Sequence, residues 1–370
     1  MLNKTHNIDC VQGLQKLKDN SVNLTVTSPP YDNLRTYTNE SQWDFDVFKK
    51  TANELYRTTT DNGVVAWVIG DAVIKGSESG SSFKQAKYFQ DIGFRLFDVF
   101  IYEKNSSSFP VRRDGNRYSQ VFEYIFVFSK GNNTYNPLLK SNIKDKNKVI
   151  YSGNLKDDIR KTWDCDIIDI KNLPKEPEKG FTVAIQSMPR DSLDIPQIAK
   201  DNGYFLHDTM IVTDDNIYDF VFILSYKMKP KFADLLCDKP NRWAGCERFG
   251  KGSLRTKDGV LKERSLNPVP DFSPRFNIWR YKDTDVSTIW KYNCGKNYST
   301  KDKVAYEHPA IFPELLCEDI IKVFSLEGDV VLDPFMGSGT TAKMAKKNNR
   351  DYIGFEISKE YTDIIKRRVK

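Results

Sequence analysis

The run Val330-Val331-Leu332-Asp333-Pro334-Phe335-Met336-Gly337-Ser338-Gly339-Thr340-Thr341 leaves this chain few folds to choose from. It reads as a buried strand, a glycine turn and the start of a helix. Roughly twenty residues on, Tyr352-Ile353-Gly354-Phe355-Glu356 reads as a second strand that ends in an acid. A strand–helix–strand unit of this kind belongs to an α/β fold with a parallel sheet. Glycine at 337 and 339 lets a ligand approach backbone that carries no side chain, beside the helix that Thr340 opens. Glu356 at the next strand end can accept both hydroxyls of a ribose. There is no complete G-x-G-x-x-G and no G-K-[ST], so a bound pyrophosphate or nucleoside triphosphate is disfavoured. Asp333, Glu356 and Glu360 predict an acidic rim. Such a rim suits an adenosine-containing cofactor with a positive charge, and a sulfonium is one.

The remainder of the chain divides into three stretches. Residues 1–136 alternate apolar runs with helical spacing. A short strand end is expected at 7–10 and strands at 23–27, 63–70, 94–102 and 121–128, with helices at 11–18, 45–58 and 83–90. Residues 137–277 break this rhythm with Lys, Asp, Asn, glycine and proline, and read as a less regular inserted module with strands at 206–213 and 218–226. Residues 278–370 return to the α/β pattern, with a helix at 313–324 and a basic amphipathic helix at 360–370. Trp279, Tyr281, Trp290 and Tyr292 read as core, and His207 as structural. Lys104 could face a phosphate or nothing.

The strand at 23–27 stops at Ser28-Pro29-Pro30-Tyr31. Two prolines forbid a helix and a ladder there, so the chain leaves the sheet in a stiff turn. Carboxyl ends of parallel strands are where α/β sheets place their chemistry. This turn concentrates a hydroxyl, exposed carbonyls and an aromatic ring. The exocyclic amine of a nucleobase is a poor nucleophile because the ring delocalises its lone pair. Two acceptors on its hydrogens, the Ser28 hydroxyl and the Pro29 carbonyl, would draw the nitrogen towards tetrahedral geometry. Tyr31 would stack on a base that has been turned out of a duplex.

Composition narrows the partners. The net charge is only +6, but residues 227–303 carry 18 Lys/Arg against 9 Asp/Glu, which points to one face that meets a polyanion. Arg242, Arg248, Arg255 and Lys257 are the candidate phosphate contacts. The six cysteines include no C-x-x-C pair and there are three histidines, so no metal site is expected. No apolar run approaches the roughly 18 residues of a membrane span, and 1–12 is polar, so a soluble cytoplasmic protein without a membrane partner is expected.

Ser28 to Tyr31 and Phe335 to Gly339 resemble the D/N/S-P-P-Y/F/W and F-x-G-x-G loops of bacterial DNA amino-methyltransferases from restriction–modification systems. The first loop precedes the second, with a long stretch between, as in the beta class of that family. The resemblance covers 1–136 and 285–370. It implies a Rossmann-like S-adenosylmethionine-dependent methyltransferase sheet, circularly rearranged, with a catalytic half at 1–136, an inserted target-recognition region at 137–277 and a cofactor-binding half at 278–370. A seven-stranded mixed sheet is expected, with both loops at its carboxyl edge. It further implies that Ser28, Pro29, Pro30 and Tyr31 are catalytic. Asp9 or Cys10 would lie by the cofactor adenine. The segment Glu307-His308-Pro309-Ala310-Ile311-Phe312-Pro313-Glu314 would line the methionine end, with His308 and Phe312. Asp333, Phe335, Gly337, Ser338, Gly339, Thr340 and Glu356 would complete the cofactor site. Double-stranded DNA is the implied substrate, and a cognate restriction endonuclease the implied partner. Serine at the head of the loop leans to cytosine N4; an adenine N6 enzyme would share the architecture. A C5 enzyme would need a cysteine after proline, and no cysteine here follows one. A non-catalytic DNA-binding relative would be expected to have lost the Ser28–Tyr31 loop or Glu356, and both are intact.

Overall fold

The protein is described by a computed structural model. It covers residues 1–30, 43–105, 117–131, 149–214, 217–228, 288–295 and 297–369. It also covers 230, 233, 235–240, 244–245, 253–255, 261–263, 271–273, 275, 277–282 and 286. The principal sheet has eight strands: Lys4–Asn7 (β1), Val22–Thr27 (β2), Thr59–Ile69 (β3), Arg95–Lys104 (β4), Phe122–Ser129 (β5), Ile289–Tyr292 (β6), Val330–Asp333 (β7) and Asp351–Glu356 (β8). Their order across the sheet is β1-β8-β7-β2-β3-β5-β4-β6. Only β5 runs antiparallel to its neighbours.

Alternation along β3 shows why this sheet needs cover on both faces. Val65, Trp67 and Ile69 pack with Phe48, Ala52 and Leu55 of helix Phe45–Thr58 and with Phe83, Ala86 and Phe89 of helix Ser81–Asp91. Val64, Ala66 and Val68 point the other way, onto Leu316 and Ile320 of helix Glu314–Phe324 and Ala342 of helix Thr340–Lys347. A strand buried on both faces reads as a continuous apolar run, which is why residues 63–70 were legible. The crossover from β2 leads through helix Phe45–Thr58 to β3 on one side. The crossover from β7 leads through helix Thr340–Lys347 to β8 on the other. The adjacent carboxyl ends of β2 and β7 therefore flank a topological switch point, the place where open α/β sheets form a ligand crevice.

A second, five-stranded sheet has the order Ile278–Arg280, Tyr204–Asp214, Ile217–Tyr226, Thr182–Ser187, Ile167–Ile168. Its Phe220 and Phe222 meet the Phe83 ring at 5.6 and 5.4 Å, and the Tyr218 hydroxyl donates to the Val99 carbonyl at 2.6 Å. Its other face buries Val221 and Ile223 against Trp163 and Trp279.

Several sequence expectations need correction. The sheet has eight strands rather than seven, because Ile289–Tyr292 joins β4 in parallel. That run has only four residues and is mostly half-buried, so it lacks a strand's usual sequence pattern. The first strand is Lys4–Asn7, not 7–10, because the Asp9 side chain accepts from Val11 and Gln12 and starts helix Cys10–Leu14. That helix ends at Leu14 rather than 18. The polar stretch after 140 contains helix Leu155–Trp163, whose Ile159 and Trp163 are buried. Lys104 pairs with Glu123 at 2.6 Å and is largely buried, so it does not stand on a DNA-facing surface. No helix among the described residues is long and apolar enough to cross a membrane.

Part of the basic stretch is internal. Arg275 is 1% exposed. It donates to Asp158 at 2.7 Å and to Asp238 at 2.7 Å, and it stacks over Tyr151 at 4.0 Å. Asp158 also accepts from the Tyr281 hydroxyl at 3.0 Å. Removing Asp158 would leave a buried guanidinium with half its partners. Asp158→Ala is expected to lower the unfolding free energy by about 3–5 kcal/mol, read from urea denaturation; a loss near zero would show that the guanidinium reaches water.

Candidate active site

The site is assembled from the carboxyl ends of β1, β8, β7 and β2. Asp333 closes β7. Its carboxylate accepts from the Thr27 hydroxyl at 2.6 Å, the Phe335 amide at 3.0 Å and the Thr341 hydroxyl at 2.7 Å. Thr27 is the residue before Ser28, so this clasp holds the Ser28-Pro29-Pro30 turn against the glycine turn. Burial raises the Asp333 carboxyl above the ordinary range, and its three donors pull the other way. Asp333 is 4% exposed, with both oxygens committed to protein donors. It is therefore not part of an acidic rim, as the sequence had suggested, but an internal brace.

Gly337 and Gly339 both sit in the left-handed region, at φ 51° and 85°. A Cβ at 337 would lie 3.2 Å from the His308 ring, and one at 339 would lie 3.0 Å from Ile365. Glycine is thus favoured at both positions by conformation, and a side chain at either would press on its neighbour. His308 packs edge-on against Tyr361 with ring centroids 4.2 Å apart, and its Nδ1 lies 3.1 Å from the Ala310 amide. Phe335 meets Trp43 edge-on at 4.9 Å. Phe312 is half-buried against the layer that contains Leu316 and Met336.

Glu356 closes β8. One carboxylate oxygen accepts from the Gly337 amide at 2.8 Å and the other from the Ser358 amide at 2.9 Å. No cation pairs with it among the described residues, and burial pushes its carboxyl up to about 7. A carboxylate has about four acceptor sites, so these backbone amides leave it with acceptor capacity. β1 runs alongside β8, and the Ile8 amide donates to the Glu356 carbonyl at 3.1 Å. This brings Asp9 and Cys10 next to Glu356. Cys10 is buried, with its thiol pushed up to about 11 by burial and by Asp9, which suits a packing residue rather than a nucleophile.

Sequence reasoning missed Arg368. Its guanidinium donates to the Ser338 carbonyl, to the Ser338 hydroxyl at 3.0 Å, to Asp302 at 3.1 Å and to Glu314 at 2.8 Å. Glu314 also takes Thr300 and Lys343, at 2.7 and 2.8 Å. The glycine turn is thereby held from its outer side by helix Lys359–Arg368. A signal was present: Tyr361, Ile364, Ile365 and Arg368 follow i, i+3, i+4, i+7 spacing. An arginine on an apolar stripe must be buried and therefore paired.

Asp9, Cys10, Ser28, Pro29, Pro30, His308, Asp333, Phe335, Gly337, Ser338, Gly339, Thr340 and Glu356 thus lie on neighbouring strand ends and the turns packed on them. Tyr31, Arg242, Arg248 and Lys257 lie outside the described residues. Arg255 is in strand Ser253–Arg255, whose side chains are likewise outside the description.

Comparison with known proteins gives the class. The DNA methylase family profile matches residues 22–193 and 201–367. The orphan methyltransferase M.BamHII of Bacillus amyloliquefaciens is 39% identical over 357 residues, covering 96% of this chain and 91% of its own. The type II methyltransferase M2.DpnII of Streptococcus pneumoniae is 46% identical over 130 residues, 29% of this chain and 48% of its own. The PvuII cytosine-N4-specific DNA methyltransferase structure matches at 17% identity with TM-score 0.44, over 99% of this chain and 88% of that one. The structure of M1.HpyAVI with S-adenosyl-L-methionine matches at 15% identity with TM-score 0.43, over 99% and 98%. The chain belongs to the N6/N4 DNA methylase family, whose members are DNA amino-methyltransferases.

Because Arg368 holds the Ser338 carbonyl and hydroxyl, its loss should loosen the turn locally. Arg368→Ala is expected to speed amide exchange across 337–341 on the order of tenfold, with exchange in the second sheet unchanged. Uniform acceleration would mean global destabilisation, and none would mean that the turn holds itself.

Proposed function

We propose that this protein transfers a methyl group from S-adenosyl-L-methionine to the exocyclic N4 amine of a cytosine flipped out of duplex DNA. The observation that carries the reading is the clasp through Asp333, which sets the Ser28-Pro29-Pro30 turn beside the glycine turn at the switch point of the sheet. The residues present fit the donor. Two glycines leave bare backbone, and Glu356 is a buried carboxylate met only by backbone amides, with acceptor capacity left for a ribose diol. Glu356 would hold the ribose, with Asp9 and Cys10 by the adenine, and Phe335, Gly337, Ser338, Gly339, Thr340, His308 and Phe312 around the methionine end. S-adenosyl-L-methionine supplies an activated methyl group; the chain orients the acceptor.

The Ser28 hydroxyl and the Pro29 carbonyl accept the two amine hydrogens, and Tyr31 offers a stacking face. Proton loss follows methyl transfer, when the nitrogen is acidic enough to release it to solvent. Residues 137–277 and the basic continuation to 303 carry DNA recognition, with Arg242, Arg248, Arg255 and Lys257 as phosphate contacts. M.BamHII is an orphan methyltransferase, which lends no support to a cognate endonuclease here. Serine at position 28, at the head of the loop, supports the choice of base.

Mass spectrometry of nucleosides from DNA treated with the purified protein is the test. N4-methylcytosine is expected. N6-methyladenine would overturn the base, and neither product on any DNA would overturn the activity. Ser28→Ala is expected to lower kcat about ten- to a hundredfold, with cofactor affinity intact, because it removes a contact to the reacting amine.

Glu356 adds a pH dependence. Ribose hydroxyls donate to the ionised carboxylate, so binding selects the charged form of a group whose pKa in the free protein is about 7. Cofactor affinity is expected to level off above that pH and to weaken by up to about tenfold per unit below it, measured by calorimetry from pH 5.5 to 8.5. Glu356→Gln should flatten that limb; an unchanged profile would place the ribose elsewhere.

A further inference from the structure

Past Ile69 the chain does not cross directly to the next helix. It first makes a small hairpin, in which Val73–Ile74 pairs with Ser77–Glu78, Val73 opposite Glu78 and Ile74 opposite Ser77. The two loop residues, Lys75 and Gly76, both lie at positive φ, 49° and 82°. That is the tight two-residue turn whose twist matches the hairpin. A hairpin this short does not persist unaided. This one is held from below on all sides. Glu78 is buried and accepts from the Thr209 hydroxyl at 2.5 Å and the Thr209 amide at 3.3 Å. The Ser77 hydroxyl donates to the Leu206 carbonyl at 3.2 Å, and Arg117 donates to the Gly76 carbonyl. The Ser79 amide closes the base on the Ala72 carbonyl at 2.8 Å. Asp71 accepts from the Ser82 amide at 3.0 Å and anchors the next helix.

The tip so braced is apolar and open. Ile74 is 51% exposed and Val73 37%, with Lys75 exposed beside them. Nothing in the first sheet needs these side chains: the core layers close without them. The place is specific. β3 and β2 are neighbours, with Trp67 opposite Thr27, so the hairpin leaves the same sheet edge as the Ser28 turn, one strand away. Its base rests on Tyr204–Asp214 of the second sheet. It therefore stands between the Ser28 turn and the second sheet, the two places to which the proposed function assigns the flipped base and the recognition of the duplex. A stiff apolar projection carrying one cation has the chemistry of a wedge. It can fill the space between base steps while the lysine meets a phosphate.

We propose that the Val73–Glu78 hairpin enters duplex DNA beside the target base pair, with Ile74 holding open the stack that the flipped base has left. The inference rests on the DNA-methylating reading above. The hairpin is a positioning element and does not touch the reacting atoms.

The target site is first mapped by sequencing DNA from cells that express the protein. Ile74→Ala and wild type are then compared on that duplex, with the target base either correctly paired or mispaired. A mispaired base costs less to extract, so it needs less help. The variant is expected to lose about tenfold in kcat/KM on the paired duplex and to return to within about twofold of wild type on the mispaired one, with unchanged cofactor affinity and melting. Equal rates on the paired duplex, or the same loss on both duplexes, would overturn the proposal. So would a smaller assembly for the variant than for wild type in sedimentation, which would make the tip an interface between two copies. Wild type inactive on every duplex would overturn the methyltransferase reading itself, a result separable from any effect of Ile74.

Discussion

One buried carboxylate holds the two halves of the site together. Asp333 draws donors from three segments: Thr27 at the end of β2, the Phe335 amide in the glycine turn and Thr341 in the helix that follows. Burying a carboxylate is costly, and that cost is offset only when its acceptor sites are filled. The need to fill them makes the arrangement directional: the Ser28 turn cannot drift from the glycine turn without stranding Asp333. Glu356, one strand over, is the counterpart. It is also buried, but its donors are backbone amides alone, and acceptor capacity remains. The first acid is finished by the fold, and the second is left for a ligand.

Arg368 applies the same logic from outside. It brings a fully buried guanidinium to the Ser338 carbonyl and pairs the remaining nitrogens with Asp302 and Glu314. In the second sheet Arg275 does likewise with Asp158 and Asp238. Buried ion pairs recover in attraction little more than they lose in desolvation, so their contribution lies mainly in orientation. They also change what the charge count means. Part of the basic excess between 227 and 303 is spent on the protein's own acids, by Arg275 in full burial and by Arg280 in partial burial.

Long apolar runs were readable because burial on both faces leaves little room for polar residues. β3, β5, Tyr204–Asp214 and Ile217–Tyr226 all lie where the pattern puts them. Ile289–Tyr292 and Lys4–Asn7 were not, since each has four residues and an exposed or half-buried face. Lys104 illustrates a different limit. Nothing local distinguishes a lysine that waits for a phosphate from one paired to Glu123 on the next strand.

By itself the sequence determined which residues could do chemistry. A serine and two prolines at a strand end, glycines where only glycine fits and an acid closing the next strand are local facts, set by side-chain type and backbone freedom. What it left open was which of these groups are spent on the protein and which remain for a ligand. Asp333 and Glu356 look alike as letters at strand ends. They differ because Thr27 and Thr341 arrive at one, from 306 residues before and 8 after, and only backbone amides arrive at the other. Hydrogen-bond capacity is filled by whatever the fold brings within about 3 Å, and for groups so far apart in sequence only the tertiary structure decides what that is.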